Sequence, residues 1–143
     1  MSNKFDYSNL SGDWYNRIGL QVNLIPAQDG SLKGKLYDDK KAYDLTGRFD
    51  TDPPSGDGAS VGWVVTRPNV VKPTEHNNTT TWSGQYFDWN GGVESIAASW
   101  LLTQSTIARK SWNSTNVGND LFTREKPSDA EIAKAKAVLF GRQ

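Results

Sequence analysis

Eight short runs of β-forming residues, each closed by a turn signal, leave this chain few folds to choose from. Gly12 to Asn16 begins the series. Gln21-Val22-Asn23-Leu24-Ile25 alternates polar and apolar, as a strand with one buried face does. Asp29-Gly30 follows, a strong short-range hairpin signal. Ser31 to Tyr37 is a third run and Tyr43 to Phe49 a fourth, with the polar turn Asp38-Asp39-Lys40-Lys41 between them. Pro53, Pro54, Gly56 and Gly58 make Asp50 to Gly58 a loop. Ala59 to Thr66 is a fifth run, and Arg67 to Asn78 a polar loop with two prolines. Thr79 to Phe87, Ser95 to Thr103 and Ser111 to Arg124 complete the set. Strands at this spacing predict an all-β, eight-stranded antiparallel up-and-down barrel, with a sandwich as the fallback. Eight strands leave room for one small ligand.

The tail differs. Ser128 with Glu131 three residues on is a capping box, and Ile132, Ala135 and Leu139 recur at helical spacing. The expected division is an N-terminal extension over 1–10, a barrel over 11–126 and a short amphipathic helical tail over 127–143 that packs on the barrel exterior or frays.

Composition narrows the function. The chain has 143 residues, with 16 Lys and Arg against 16 Asp and Glu. A phosphate-binding surface usually shows as a basic excess, so nucleic acid is not expected as a partner. No apolar segment approaches the roughly 20 residues of a membrane-spanning helix. Cysteine is absent, which excludes disulfides, thiol catalysis and Cys-based zinc sites. His76 is the only histidine, so neither a triad nor a zinc set can be assembled around it. Asp50-Thr51-Asp52 and Asp57-Gly58 lack EF-hand spacing and its terminal Glu. The expectation is a non-enzyme with no metal and no cofactor. The N-terminus shows no apolar signal-like stretch, so a cytoplasmic protein is expected, or a secreted one if this chain is a mature form.

The chemistry concentrates between Thr79 and Phe122. Trp82, Trp100 and Trp112 stand there among Thr, Ser, Asn and one Asp. Large rings beside hydrogen-bonding side chains suit a small polar ligand with an apolar body. Trp14, Trp63 and Trp89 read instead as core.

In order and approximate spacing, LSGDWYN, LTGRFD, PPSGDG, VGW, TTWSGQYF, SWLLT and STNVGND-LFT resemble the avidin and streptavidin family over about residues 10 to 127. The likeness is greatest to its mushroom members, the tamavidins. The resemblance implies an eight-stranded barrel with a biotin pocket at one end, a homotetramer and, for a mushroom protein, a defensive role in sequestering the vitamin. It implies that Asn16 meets the ureido oxygen and that Asp120 accepts a ureido N–H. Thr80 would meet the ligand's sulfur. Trp82, Trp100 and Leu102 would wall its bicyclic body. Trp112 would be lent to a neighbouring subunit's pocket.

Other positions depart from the family pattern. Leu20 replaces a serine, and Leu36 aligns with a tyrosine although Tyr37 is adjacent. Arg67 replaces a tryptophan, Asp38 a serine, and Asn78 a tail-contacting serine. The loop at Asp38 is about four residues shorter. Losing two of three donors to the ureido oxygen costs roughly 1.5–3 kcal/mol each. With the lost ring, the sum is roughly 4–9 kcal/mol, or about three to six decades of affinity. A bulge that turns Tyr37 inward would restore one donor. Arg67 and Asp38 either meet across the pocket mouth or stand apart as solvated rim charges. Biotin or a related cyclic urea, bound weakly, is therefore the first expectation. A glycan, bound by the same rings and hydrogen-bonding groups in a barrel turned lectin, is the alternative.

Overall fold

A computed structural model describes residues 5–38, 41–68, 77–89 and 93–140. Its strands are β1 (Gly12–Tyr15), β2 (Gln21–Pro26), β3 (Ser31–Asp38), β4 (Lys41–Phe49), β5 (Ala59–Arg67), β6 (Asn78–Trp89), β7 (Val93–Gln104) and β8 (Thr115–Phe122). Each pairs antiparallel with the next, in sequence order, in one curled sheet. The two outer strands meet at a bridge between Tyr15 and Thr123, whose N–H and C=O groups bond reciprocally at 2.8 and 2.9 Å. This is the expected up-and-down barrel.

The period-two alternation decides what lies inside. Val22, Leu24, Leu32, Leu36, Leu45, Val65, Ile96 and Phe122 are almost fully buried, each worth about 1.5–3 kcal/mol of burial. Trp14 is fully buried and donates its indole N–H to the Leu10 carbonyl at 2.9 Å. The Arg124 guanidinium covers its ring at 3.7 Å. Residues 5–10, expected as a mere extension, supply this end with a 3₁₀ turn (Tyr7–Leu10). Phe5 and Tyr7 there pack against Phe49.

One element differs from expectation. The run from Ser111 to Arg124 is not strand throughout, because Ala108–Asn113 forms a 3₁₀ helix and β8 starts only at Thr115. Ser and Asn favour local hydrogen bonds over a ladder, and Ser114 closes this turn by donating to the Ser111 carbonyl at 2.8 Å. The tail helix α1 (Asp129–Phe140) forms as expected. Ser128 Oγ accepts from the Glu131 N–H, and Glu131 Oε1 accepts from the Ser128 N–H, both at 3.1 Å. The helix docks through Ile132 onto Gly19, where a Cβ would come within 2.6 Å of Ile132 Cδ1.

Candidate functional site

On β8, residues 118, 120 and 122 share a face, and Phe122 is completely buried, so Asp120 and Gly118 also face the barrel interior. Asp120 is half-buried and holds two hydrogen bonds. Trp82 donates its indole N–H to one carboxylate oxygen at 3.0 Å, and Asn16 Nδ2 donates to the other at 3.2 Å. Both donors are buried, at 4% and 3% exposure. The loop after β1 fixes Asn16. Its Oδ1 accepts from the backbone N–H groups of Ile18 at 3.1 Å and Leu20 at 2.8 Å. That leaves Nδ2 with one further N–H, and Asp120 with unused lone pairs. An acceptor and a donor thus stand side by side, the complement of an N–H next to a C=O in an amide or urea.

Aromatic rings flank this polar centre. Trp63 stacks on Trp82 at 5.9 Å between ring centres, and Phe122 meets Trp63 edge-on at 5.5 Å. Trp100 is half-buried and lies over Gly118, filling the space a side chain there would take. Thr80, 2% exposed, stands opposite the half-buried Leu102 in the β6–β7 register and donates its hydroxyl to Asn78 Oδ1 at 3.3 Å.

Register settles the third strand. Leu36 pairs with Val22 and is fully buried, whereas Tyr37 pairs with Gln21 and is 37% exposed. No bulge turns the phenol inward, so the inner wall carries leucine there. Leu20 packs against the core. β3 ends at Asp38 and β4 begins at Lys41, so only two residues connect them.

At the mouth, Arg67 Nη1 donates to Asp38 Oδ2 at 2.6 Å. Of the two alternatives for this pair, the ion pair is the one that forms. The Arg67 side chain is only 18% exposed and that of Asp38 52%. Arg67 Nε and Trp63 Nε1 are both buried and have no hydrogen-bond partner among the described residues.

The structure therefore joins Asn16, Trp82 and Asp120 by direct hydrogen bonds, with Trp100 next to Trp82 in the β6–β7 register and over Gly118. Thr80 and Leu102 pair one inward-facing step beyond Trp82 and Trp100, and Asn78 pairs with Arg67, which holds Asp38, at the strand ends. Trp112 is not among them: it is 83% exposed on the 3₁₀ helix before β8. His76 lies outside the described residues. Trp63 is buried in the core, as its sequence context indicated, and backs Trp82 from there; Gly118 is the position the sequence did not single out. Counting back by twos from Asp120 puts Gly118 on the inner face and so under a ring.

The model of the avidin family matches residues 4–125. The chain belongs to the avidin family.

Not every concavity of this avidin-family barrel is inside it. A groove of about 580 Å³ runs over the outer face of β6, β7 and β8, lined by Ser83, Gln85, Ser99, Asn119 and Leu121, with Arg17 at its edge. Asp120 also contributes to its lining, so the groove borders the candidate ligand site through the β8 strand. Leu101, Val117 and Leu121 add exposed apolar surface on the same face, at 49%, 71% and 46%.

Proposed function

We propose that this avidin-family protein is a non-catalytic binder of biotin or a closely related cyclic urea. The observation that carries the reading is the Asp120 carboxylate held between the indole of Trp82 and the amide of Asn16, which leaves hydrogen-bonding capacity on both polar groups for a ligand. Such charge-assisted hydrogen bonds in a water-poor site are the strong ones. Trp82 and Trp100 enclose the apolar body, and Thr80 and Leu102 line its outer half.

Binding is weaker than in a site with a full set of donors. Leu20 and the buried Leu36 offer none, and each donor lost to a ureido oxygen costs roughly 1.5–3 kcal/mol. The loop at Asp38 is also about four residues shorter than the family pattern, which leaves less chain to cover a bound ligand. The working form is a homo-oligomer, a tetramer in our reading. Trp112 seals a neighbour's pocket, because a tryptophan 83% exposed beside an apolar outer face is suited to burial against another copy.

Replacing Asp120 with Ala tests the reading. It removes the acceptor and leaves two buried donors unpaired, so biotin affinity falls at least a hundredfold while the β-type circular dichroism persists. Undiminished affinity would refute the assignment. A glycan is the second reading and draws on the polar Arg67–Asp38 pair at the mouth. Haemagglutination separates the two, since a biotin binder shows none.

A further inference from the structure

We propose that helix α1 braces the ligand site from outside the barrel, with Ile132 as a positioning residue: by packing on Gly19 it holds the turn that aims the Asn16 amide at Asp120. The positioning concerns the protein alone; its effect on affinity rests on the cyclic-urea reading.

The path from helix to site is short. Asn16 Oδ1 accepts from the N–H groups of Ile18 and Leu20, the residues on either side of Gly19. Backbone bonds close the same turn: the Asn16 N–H donates to the Leu20 carbonyl at 3.0 Å, and the Gly19 N–H to the Asn16 carbonyl at 3.2 Å. Fixing Oδ1 in this way fixes the plane of the amide, and Nδ2 then donates to Asp120. A shift of Gly19 displaces both N–H groups, and the amide turns with them.

Gly19 has φ +84°, in the left-handed region that favours glycine. The space a side chain there would need is taken by Ile132, whose Cδ1 and Cγ1 would lie 2.6 and 3.2 Å from a Cβ. Ile132 is itself pinned. Its N–H donates to the Ser128 carbonyl at 2.9 Å, in the turn that the Ser128–Glu131 cap sets. Ile132 and Ala135 are half-buried while the residues beside and between them are exposed, so this face of α1 is the one turned to the barrel. The avidin-family match ends at residue 125, so the brace lies beyond the matched part and acts back on it. A surface turn with few buried contacts opens easily, and an apolar side chain packed on it keeps it closed.

Amide hydrogen exchange on the full chain, read residue by residue by NMR, tests the brace without a ligand. Ile132→Ala and Ile132→Lys should each quicken exchange at Ile18 and Leu20 roughly tenfold and leave the core amides of β2 unchanged. Ile132→Met, which keeps the reach of Cδ1, should restore slow exchange. Titration with biotin reads the consequence for the site. Both disruptive variants should bind about three- to tenfold more weakly, and in an Asn16→Ala background the same substitutions should change affinity little, because the amide they would misplace is gone. Unchanged exchange at Ile18 and Leu20 overturns the inference. So does quickened exchange throughout the sheet, or an affinity loss that simply adds to that of Asn16→Ala. If the unaltered protein binds no biotin, the cyclic-urea reading has failed, and the exchange rates still decide whether α1 holds Asn16.

Discussion

Gly118→Ala is the perturbation that most directly probes how the interior wall is built. A Cβ on Gly118 would stand inside van der Waals contact of the Trp100 ring, reaching Cζ2 and Cε2 and approaching Cη2 to 2.9 Å. The backbone at Gly118 is not in the left-handed region, so alanine itself is unstrained and the cost is purely the displaced ring. A rigid indole cannot bend aside. It must rotate away from β8, toward the half-open side where Trp100 is already partly exposed. Overpacking of this kind costs about 1–3 kcal/mol. For a chain of this size each kcal/mol is about 2–4 °C, so Tm should fall by about 3–10 °C. Moving one wall of the site should cost a further 2 kcal/mol or so of ligand binding, roughly thirtyfold in affinity. Differential scanning calorimetry reads the first effect and titration with biotin the second. Unchanged Tm together with unchanged affinity would refute the placement of Trp100 over Gly118.

Three further outcomes are expected. Leu20→Ser restores a hydroxyl near Asn16 and should raise biotin affinity roughly tenfold or more; equal or weaker binding in a folded variant would show that Leu20 is not what limits the site. Burial, then the neighbouring Glu94 carboxylate, pushes the Tyr86 phenol up from its ordinary value of 10, and its hydroxyl donates to Glu94 at 3.2 Å. Its stabilising contribution is complete below pH 10 and is lost as pH rises through the raised value. Ultraviolet titration should therefore show one phenol ionising well above the ordinary value, and Tyr86→Phe should remove that late step. The Ser128 N–H, by donating to Glu131, holds that carboxyl below its ordinary value of 4.5. The cap's contribution is thus complete above 4.5 and lost as pH falls through the lowered value. Amide hydrogen exchange at the start of α1 should quicken over that acid range, and Glu131→Gln should abolish this pH dependence.

The strand count was legible because Asp29-Gly30, the Pro53-Pro54 loop and the polar turn at Asp38 punctuate the chain where hydrogen-bonded ladders must end. The tail helix was legible because Ser128 and Glu131 satisfy each other's backbone N–H, a local device that needs no tertiary partner. The start of β8 was not. Trp112 and its neighbours look like strand by composition, but their backbone groups bond locally. At the site, Asn16, Trp82 and Asp120 were readable from the resemblance, whereas their mutual hydrogen bonds depend on how far the strands shear around the barrel. The choice between Leu36 and Tyr37 turned on register alone, and a one-residue shift would have reversed it. The meeting of Arg67 with Asp38 spans two strands and an intervening third, so sequence could only pose it as one of two options.

The most direct test of the central claim is a calorimetric titration of the unaltered protein with biotin, after it has been shown to carry no bound ligand. The account predicts saturable binding at one site per chain, weaker than a complete set of ureido donors would give. Absence of both heat and saturation would contradict it, and would mean that Asp120, Asn16 and Trp82 hold one another in place without serving a cyclic urea.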